Sequence, residues 1–148
     1  MAVYQVTIFF VPEVWHQNSG SVDALLTDEG CFDASNIWSI SSQRDSVKEI
    51  FNKTFSSYNK TFWKSEGESD YSIDEDDEGN VECVRARVDG RNYAHEELQR
   101  ILSLAHVCEC VLYFPEFEKI LEPSVNALEP LELLVKRSRA YKWKLDKS

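Results

Sequence analysis

A run of five carboxylates is the part of the sequence richest in groups that could bind a cation: Asp74, Glu75, Asp76, Asp77 and Glu78. Gly79 follows it, as in a calcium loop, but the alternating acidic ligands of such a loop are missing. When Asp74 is counted as the first position, Arg85 occupies the twelfth, where a calcium loop needs glutamate. We therefore interpret the run as a solvated turn, with weak divalent-ion binding as the alternative.

Cysteine and histidine are the next candidates for chemistry. His106, Cys108 and Cys110 lie close together, but the two cysteines are closer than in usual zinc motifs and no second Cys/His pair follows. Cys31 and Cys83 stand in no nucleophile motif, and buried structural cysteine is the commoner arrangement. Neither a glycine-rich phosphate loop nor a Gly-x-Ser-x-Gly elbow occurs. The sequence thus predicts no catalytic residue, no metal and no cofactor.

The charge of the chain limits its partners. Its 148 residues include 26 acidic and 16 basic ones, which leaves a formal charge of -10. Such a charge repels free nucleic acid and anionic membranes and favours a basic protein partner. The N-terminus lacks signal-peptide features, and no apolar run approaches the roughly 18 residues that a membrane span needs. We expect a cytoplasmic protein with reduced cysteines.

A strand, a helix and a second strand are predicted between residues 81 and 114. Residues 81–88 alternate between apolar and polar, which is typical of a strand with one buried face. The helix should begin near Tyr93 or Ala94 and bury Leu98, Ile101, Leu102 and Ala105, with Glu96 and Glu97 largely on the other side. Alternation returns over residues 108–114, and Pro115 ends the strand.

Four further segments complete the predicted domain. Residues 3–11 alternate as a strand, and an irregular 13–41 connection follows Pro12. An apolar stripe predicts a helix from about 42 to 58 or beyond, which includes two near-copies at 51–55 and 58–62. The acidic 64–80 region should form a hairpin, with a short strand at 71–73 and a turn at 78–80. Glu129 and Pro130 suit the start of a C-terminal helix.

The order of these elements predicts an α+β fold. Strand, helix, strand, strand, helix, strand packs as a ferredoxin-like βαββαβ sandwich, an antiparallel sheet with helices packed on it, and here a C-terminal helix is added. We expect a single domain over residues 1–148. The sheet face away from the helices should carry Gln5, Thr7, Phe9, Arg85, Arg87, Val111 and Tyr113, and Arg85 and Arg87 should lie opposite acidic residues of the hairpin.

These features favour a binding protein over an enzyme. The chain resembles toxin-immunity proteins in size, acidity, expected location and lack of a catalytic motif, which implies an inhibitor that neutralises a basic partner such as a nuclease toxin domain. Carboxylates would steer the partner, and aromatic residues would anchor it. The predicted partner-binding residues are Asp70, Tyr71, Asp74, Glu75, Asp76, Asp77, Glu78, Trp38 and Trp63.

Two alternative functions remain at this point. One is a small enzyme with a cleft under the 13–41 connection. The other is a structural subunit that dimerises through the open sheet face, so that both a monomer and a homodimer are open. Neither alternative predicts binding to free nucleic acid or to a membrane, because the net charge opposes both.

Overall fold

The structure, a computed structural model, describes residues 5–19, 38, 46–55, 57–59, 62–64, 69–89, 95–124 and 126–138. They form an α+β fold, which confirms the predicted class. The strands are β1 (Gln5–Pro12), β2 (Ser57–Asn59), β3 (Phe62–Lys64), β4 (Asp70–Glu75), β5 (Val81–Asp89), β6 (Cys110–Phe114) and β7 (Lys119–Leu121). The helices are α1 (Glu13–Ser19), α2 (Val47–Thr54), α3 (His95–Val107) and α4 (Leu128–Arg137).

All seven strands belong to one antiparallel sheet with the order β2-β3-β4-β5-β1-β6-β7. As predicted, β1 is central, lying between β5 and β6, and β4 pairs with β5. The short strands β2 and β3 extend one edge, and β7 extends the other. The order of the whole sheet therefore differs from that of the predicted four-stranded sheet.

The main core lies between the sheet and helices α2 and α3. The ring centroids of Phe10 in β1 and Phe51 in α2 are 5.8 Å apart, and both side chains are buried. From α3, Leu98 and Ile101 are fully buried. Tyr71 of β4 contacts both Phe51 of α2 and Glu97 of α3, which places both helices on one sheet face. α4 packs against α3 and buries Leu131 and Val135.

The helix predicted over residues 42–58 is shorter than expected. α2 covers only Val47–Thr54, and Phe55 adopts an extended conformation that ends it. The first near-copy, 51–55, is mostly helical, but the described residues of the second, 58, 59 and 62, belong to strands β2 and β3. Tyr58 and Phe62, four positions apart, fit one face of a helix by spacing alone, but they lie on the separate strands β2 and β3. The pairing of β3 with β2 and with β4 stabilises strands here in place of a longer helix.

Other predictions also need correction. Glu97 was placed on the outer side of its helix, yet it is 5% exposed, and Leu104, omitted from the predicted stripe, is buried. Helix α1 lies within the connection that was predicted to be irregular, and β7 was not predicted. The predictions about Cys31, about the helix start at 42–45 and about most of the 13–41 connection concern residues outside the described ranges.

The sheet face away from α2 and α3 is divided into two parts. Arg85 and Arg87 on β5 are partly exposed, whereas Phe9, Val111 and Tyr113 are 9%, 1% and 0% exposed. The part of this face formed by β1 and β6 is therefore covered within the chain. In the described part of the chain, no helix is both long enough and apolar enough to span a membrane.

Candidate interaction site at the acidic hairpin

The β4–β5 hairpin ends in a turn, residues 76–80, which we call the hairpin tip. One oxygen of the Asp76 carboxylate, Oδ1, accepts hydrogen bonds from the backbone N–H groups of Glu78 at 2.9 Å and Asn80 at 2.8 Å. The other, Oδ2, accepts one from the Asn80 side-chain amide at 3.2 Å. Gly79 has a φ of 84°, a left-handed conformation that glycine adopts without steric cost. Asp76 therefore holds the predicted hairpin turn together.

The hydrogen bonds to Asp76 also set its charge. The backbone N–H of Asn80 lowers the pKa of Asp76, and the Asn80 side chain and the N–H groups of Glu78 and Gly79 act in the same direction. Each of these donors binds the ionised carboxylate better than the neutral acid. Asp76 thus carries its full negative charge near neutral pH, and it has a structural role as well.

The next two carboxylates are bound to cations within the protein. Asp74 pairs with Arg85 across the strands, with 3.3 Å between Oδ2 and the guanidinium, and both side chains are partly exposed. Glu75 points to the opposite sheet face, where its carboxylate lies 3.0 Å from the ammonium of Lys48 in α2. The Glu75 side chain is only 18% exposed. Asp74 and Glu75 therefore stabilise the strands and their contact with α2.

Asp77 and Glu78 differ from the other three carboxylates. Both side chains are exposed at the hairpin tip, and the described residues provide no cation within ion-pair distance of either. Residues 69–89 together contain eight acidic residues and only two basic ones, Arg85 and Arg87. The tip therefore projects negative charge that no residue of the described ranges neutralises locally.

The base of the hairpin, which includes Asp70, Tyr71 and Arg87 and which we call the hairpin root, carries two partly buried polar clusters. In the first, Arg87 binds Asp70 through two parallel hydrogen bonds of 2.7 and 2.9 Å. Gln5 on β1 donates a longer bond of 3.4 Å to the same carboxylate. Asp70 is only 7% exposed, and its register opposite Arg87 confirms the predicted pairing across the strands. A bidentate pair of this kind fixes both side chains.

The second root cluster joins the sheet to helix α3. The hydroxyl of Tyr71 donates a 2.5 Å hydrogen bond to Glu97, which also accepts a 3.1 Å bond from Arg100. The Tyr71 ring stacks on Phe55 at 4.3 Å. Burial raises the pKa of Tyr71 well above its usual value, and the negative charge of Glu97 adds to this effect. Tyr71 is therefore a neutral donor to a buried carboxylate.

The three predicted aromatic anchors all lie in the core. Tyr71 is 1% exposed, and Trp38 and Trp63 are fully buried. The indole N–H of Trp63 donates a 2.8 Å bond to Asn52, and its ring packs 5.2 Å from that of Phe51. In this conformation these side chains offer a partner no contact area. A partner-binding role for them stays a prediction. Among the predicted partner-binding residues, only the exposed carboxylates lie at the surface.

The thiols of the described residues are poor nucleophiles. Burial raises the pKa of Cys83 to about 12 and that of Cys108 to about 12, and it also raises that of Cys110. Nucleophilic attack needs the thiolate, which is scarce at neutral pH when the pKa is raised. Within the described ranges, no three metal-binding side chains are grouped as a cation site would require.

Comparisons with known proteins provide no relative. The chain matches no family model, no curated protein and no solved structure. Its function must therefore be inferred from the geometry and charge of its own residues.

Sequence reasoning identified the acidic hairpin but missed the helix residues that hold it: Lys48 binds Glu75, Glu97 accepts from Tyr71, and Arg100 binds Glu97. Lys48, Glu97 and Arg100 were not predicted to contact the hairpin. One signal could have revealed Glu97, because it precedes Ile101 by four residues and Leu104 by seven, which places all three on one helix face. No comparable signal marks Lys48, since a lysine in a short helix is usually exposed.

Proposed function

We propose that this protein is a small acidic binding protein that neutralises a basic protein partner, such as a nuclease toxin domain, through the tip of the β4–β5 hairpin. The observation that carries the proposal is that the five carboxylates differ in what they contact. Asp74, Glu75 and Asp76 hold the hairpin in shape. Asp77 and Glu78 are exposed at its end.

Electrostatic steering explains why such an arrangement suits capture of a basic partner. The potential of the whole chain, with a formal charge of -10, accelerates encounter with a positively charged protein. The rigid turn then presents Asp77 and Glu78 without the ordering cost that a flexible loop would add. Within the proposed site, Asp70, Tyr71 and Trp63 support the hairpin at its root and from the neighbouring strand β3, and Trp38 lies in the core.

Two finer expectations belong to the same proposal. The four strands β4, β5, β1 and β6 are neighbours in that order, and we propose that with α2 and α3 they are a ferredoxin-like unit to which β2, β3 and β7 were added. We also propose a cytoplasmic location. The free thiols of Cys83, Cys108 and Cys110 support it, because a reducing compartment keeps cysteines in this form.

The test compares two variants that lose the same charge. The double variant Asp77→Asn/Glu78→Gln removes both exposed tip charges. Its matched control, Glu96→Gln/Glu129→Gln, removes two exposed charges from helices α3 and α4. Each protein is immobilised and incubated with native lysate at low ionic strength, and the proteins retained by wild type are identified. Association and dissociation rates are then measured with the purified partner at low and high ionic strength.

We expect the wild type and the control to retain the same basic protein and the tip variant to retain less. The association rate of the tip variant should fall below that of the control, and the difference should shrink as salt screens the charges. If the partner is a nuclease, wild type should inhibit it in a cleavage assay. Equal association rates for the tip variant and the control would refute binding through the tip, and an acidic or neutral partner would refute the proposed partner class.

A further inference from the structure

A cleft between helices α3 and α4 contains a histidine that is paired with a carboxylate. The cleft has a volume of about 610 Å³, within the range of small-molecule sites. Its described lining combines apolar side chains with groups that can move a proton or donate a hydrogen bond: His95, Asn126, Leu128, Glu129, Glu132, Leu133 and Lys136. The hairpin tip is not part of this lining, so chemistry in the cleft is independent of the proposed capture of a basic protein.

Helix α4 turns one of its sides toward the cleft. Four of its residues recur at a spacing that places them on that side: Glu129, Glu132, Leu133 and Lys136. Leu131 and Val135 lie on another side of the helix and are buried, and α4 packs against α3. This packing fixes the orientation of α4, so that its polar side faces His95, the first residue of α3.

Glu132 orients the imidazole of His95. The Nε2 atom of His95 lies 2.5 Å from Oε2 of Glu132, and the other carboxylate oxygen, Oε1, lies 2.9 Å from the ammonium of Lys136. The hydrogen bond from Lys136 is the main cause that lowers the pKa of Glu132, and His95 acts in the same direction. An ionised carboxylate only accepts hydrogen bonds, so Nε2 carries a proton. In a neutral imidazole Nδ1 is then the acceptor.

The Nδ1 atom of His95 is open to the cleft. The His95 side chain is 62% exposed, whereas that of Glu132 is 19% exposed. Within the described ranges, the contact with Glu132 is the only polar contact of the imidazole. An imidazole with one nitrogen held by a carboxylate and the other free has the arrangement of a general base. His95 can therefore take a proton from a water molecule in the cleft.

The same cleft supplies a hydrogen-bond donor and an apolar wall. Asn126 is exposed just before α4, and the described part of the chain gives its amide no hydrogen-bond partner. An amide N–H stabilises the negative oxygen that forms when water adds to a carbonyl group. Leu133 is 54% exposed and Leu128 is half-buried, so that both can contact a short hydrocarbon chain. An uncharged substrate suits the cleft, because a chain with a formal charge of -10 repels anions.

From this geometry we infer that the cleft hydrolyses small uncharged carboxylic esters, with His95 as the general base and Glu132 as the residue that positions it. Nδ1 of His95 takes a proton from water while the water oxygen bonds to the carbonyl carbon, and the Asn126 amide donates to the oxygen that becomes negative. The bond between that carbon and the alkoxy oxygen then breaks, and the imidazolium gives its proton to the departing alkoxide. The products are a carboxylic acid and an alcohol, so the reaction balances with water as the only co-reactant.

Hydrolysis of 4-nitrophenyl butanoate by the full-length protein tests the inference. We expect saturable kinetics for wild type, because the butanoyl chain binds along Leu128 and Leu133. His95→Gln should lower kcat/KM by about a hundredfold. Its matched control is His106→Gln, which should retain the activity of wild type, because His106 is an exposed histidine of the same helix and lies outside the cleft.

Glu132→Gln separates positioning of the base from binding of the substrate. It should lower kcat by at least about tenfold and leave KM within about twofold of wild type, because it alters the partner of His95 and not the apolar wall. Glu122→Gln removes an exposed carboxylate outside the cleft and should change neither constant.

Three results would overturn the inference. They are the absence of saturable hydrolysis by wild type, equal rates for His95→Gln and His106→Gln, and a Glu132→Gln variant with the kcat of wild type. Melting curves of all four variants verify that each one is folded, as expected for substitutions outside the core.

Discussion

The root and the tip of the β4–β5 hairpin use carboxylates in opposite ways. At the root, Glu97 is buried and neutral Tyr71 donates to it, and burial raises the pKa of Tyr71. At the tip, Asp76 is surrounded by N–H donors that lower its pKa. Burial penalises charge, whereas hydrogen-bond donors favour a negative one. The same pair of strands therefore has one end stabilised by packing and another that presents charge to solvent.

Among the variants that test the difference between root and tip, Glu97→Ala should have the largest effect on the free energy of unfolding. The substitution leaves the Tyr71 hydroxyl without its acceptor and Arg100 without its ion pair, and the free energy of unfolding should fall by about 2–4 kcal/mol. Glu96→Ala is the control, because Glu96 is an exposed residue of the same first helical turn. Urea unfolding of both variants measures the difference. A loss below about 0.5 kcal/mol for Glu97→Ala would mean that the root cluster does not stabilise the fold.

A smaller effect is expected for Tyr71→Phe, which deletes one hydrogen bond and keeps the ring. Stability at neutral pH should fall by about 1–2 kcal/mol, because Glu97 loses a donor but keeps Arg100. The folded pKa of Tyr71 is raised, so its contribution is complete below the unfolded value near 10.0 and is lost as pH rises above it. Stability of wild type should therefore decline more steeply above pH 10.0 than that of the variant. Parallel slopes in alkaline urea titrations would contradict a raised pKa.

The stability that the tip contributes should be lost in acid, whereas the stability that Tyr71 contributes is lost in alkali. The folded pKa of Asp76 is lowered, so its contribution is complete above the unfolded value of about 3.8 and disappears as pH falls through the folded value. Asp76→Ala should lower the melting temperature at neutral pH by opening the turn, and it should flatten the acid limb of the stability profile. Melting temperatures between pH 2 and 7, with Asp77→Ala as the exposed neighbour, test this expectation. A profile for Asp76→Ala that parallels wild type would contradict it.

Much of this difference could be predicted from local sequence. The alternation that places Val84, Ala86 and Val88 on one face and the glycine at 79 were sufficient for the hairpin, because both act through neighbouring residues. The exposed run at the tip followed from the cost of burying charge. The pairing of Asp70 with Arg87 was also within reach, since the turn sets the register of the strands.

The features that local sequence did not predict depend on contacts between residues that are distant in sequence. Tyr71 meets Glu97 across 26 positions, and a glutamate in the first turn of a helix is ordinary in itself, since the helix dipole favours it there. Tyr71 and Trp63 looked like accessible anchors because they lie in or near an acidic stretch, but Phe51 of helix α2 packs against both rings and both are buried. Local sequence patterns do not predict which side of a short strand will be covered by other elements of the fold.

The smallest effect on stability is expected for the exposed end of the tip. Asp77→Asn/Glu78→Gln should change the free energy of unfolding by less than about 0.5 kcal/mol, because neither side chain has a described partner to lose and both are exposed. Removal of two like charges from a dense acidic segment should, if anything, stabilise the fold slightly at low salt. Urea unfolding at two ionic strengths measures the change. A loss of more than about 1 kcal/mol would show that these carboxylates hold the turn as Asp76 does, and a slower association by this variant would then reflect a damaged hairpin instead of a lost contact.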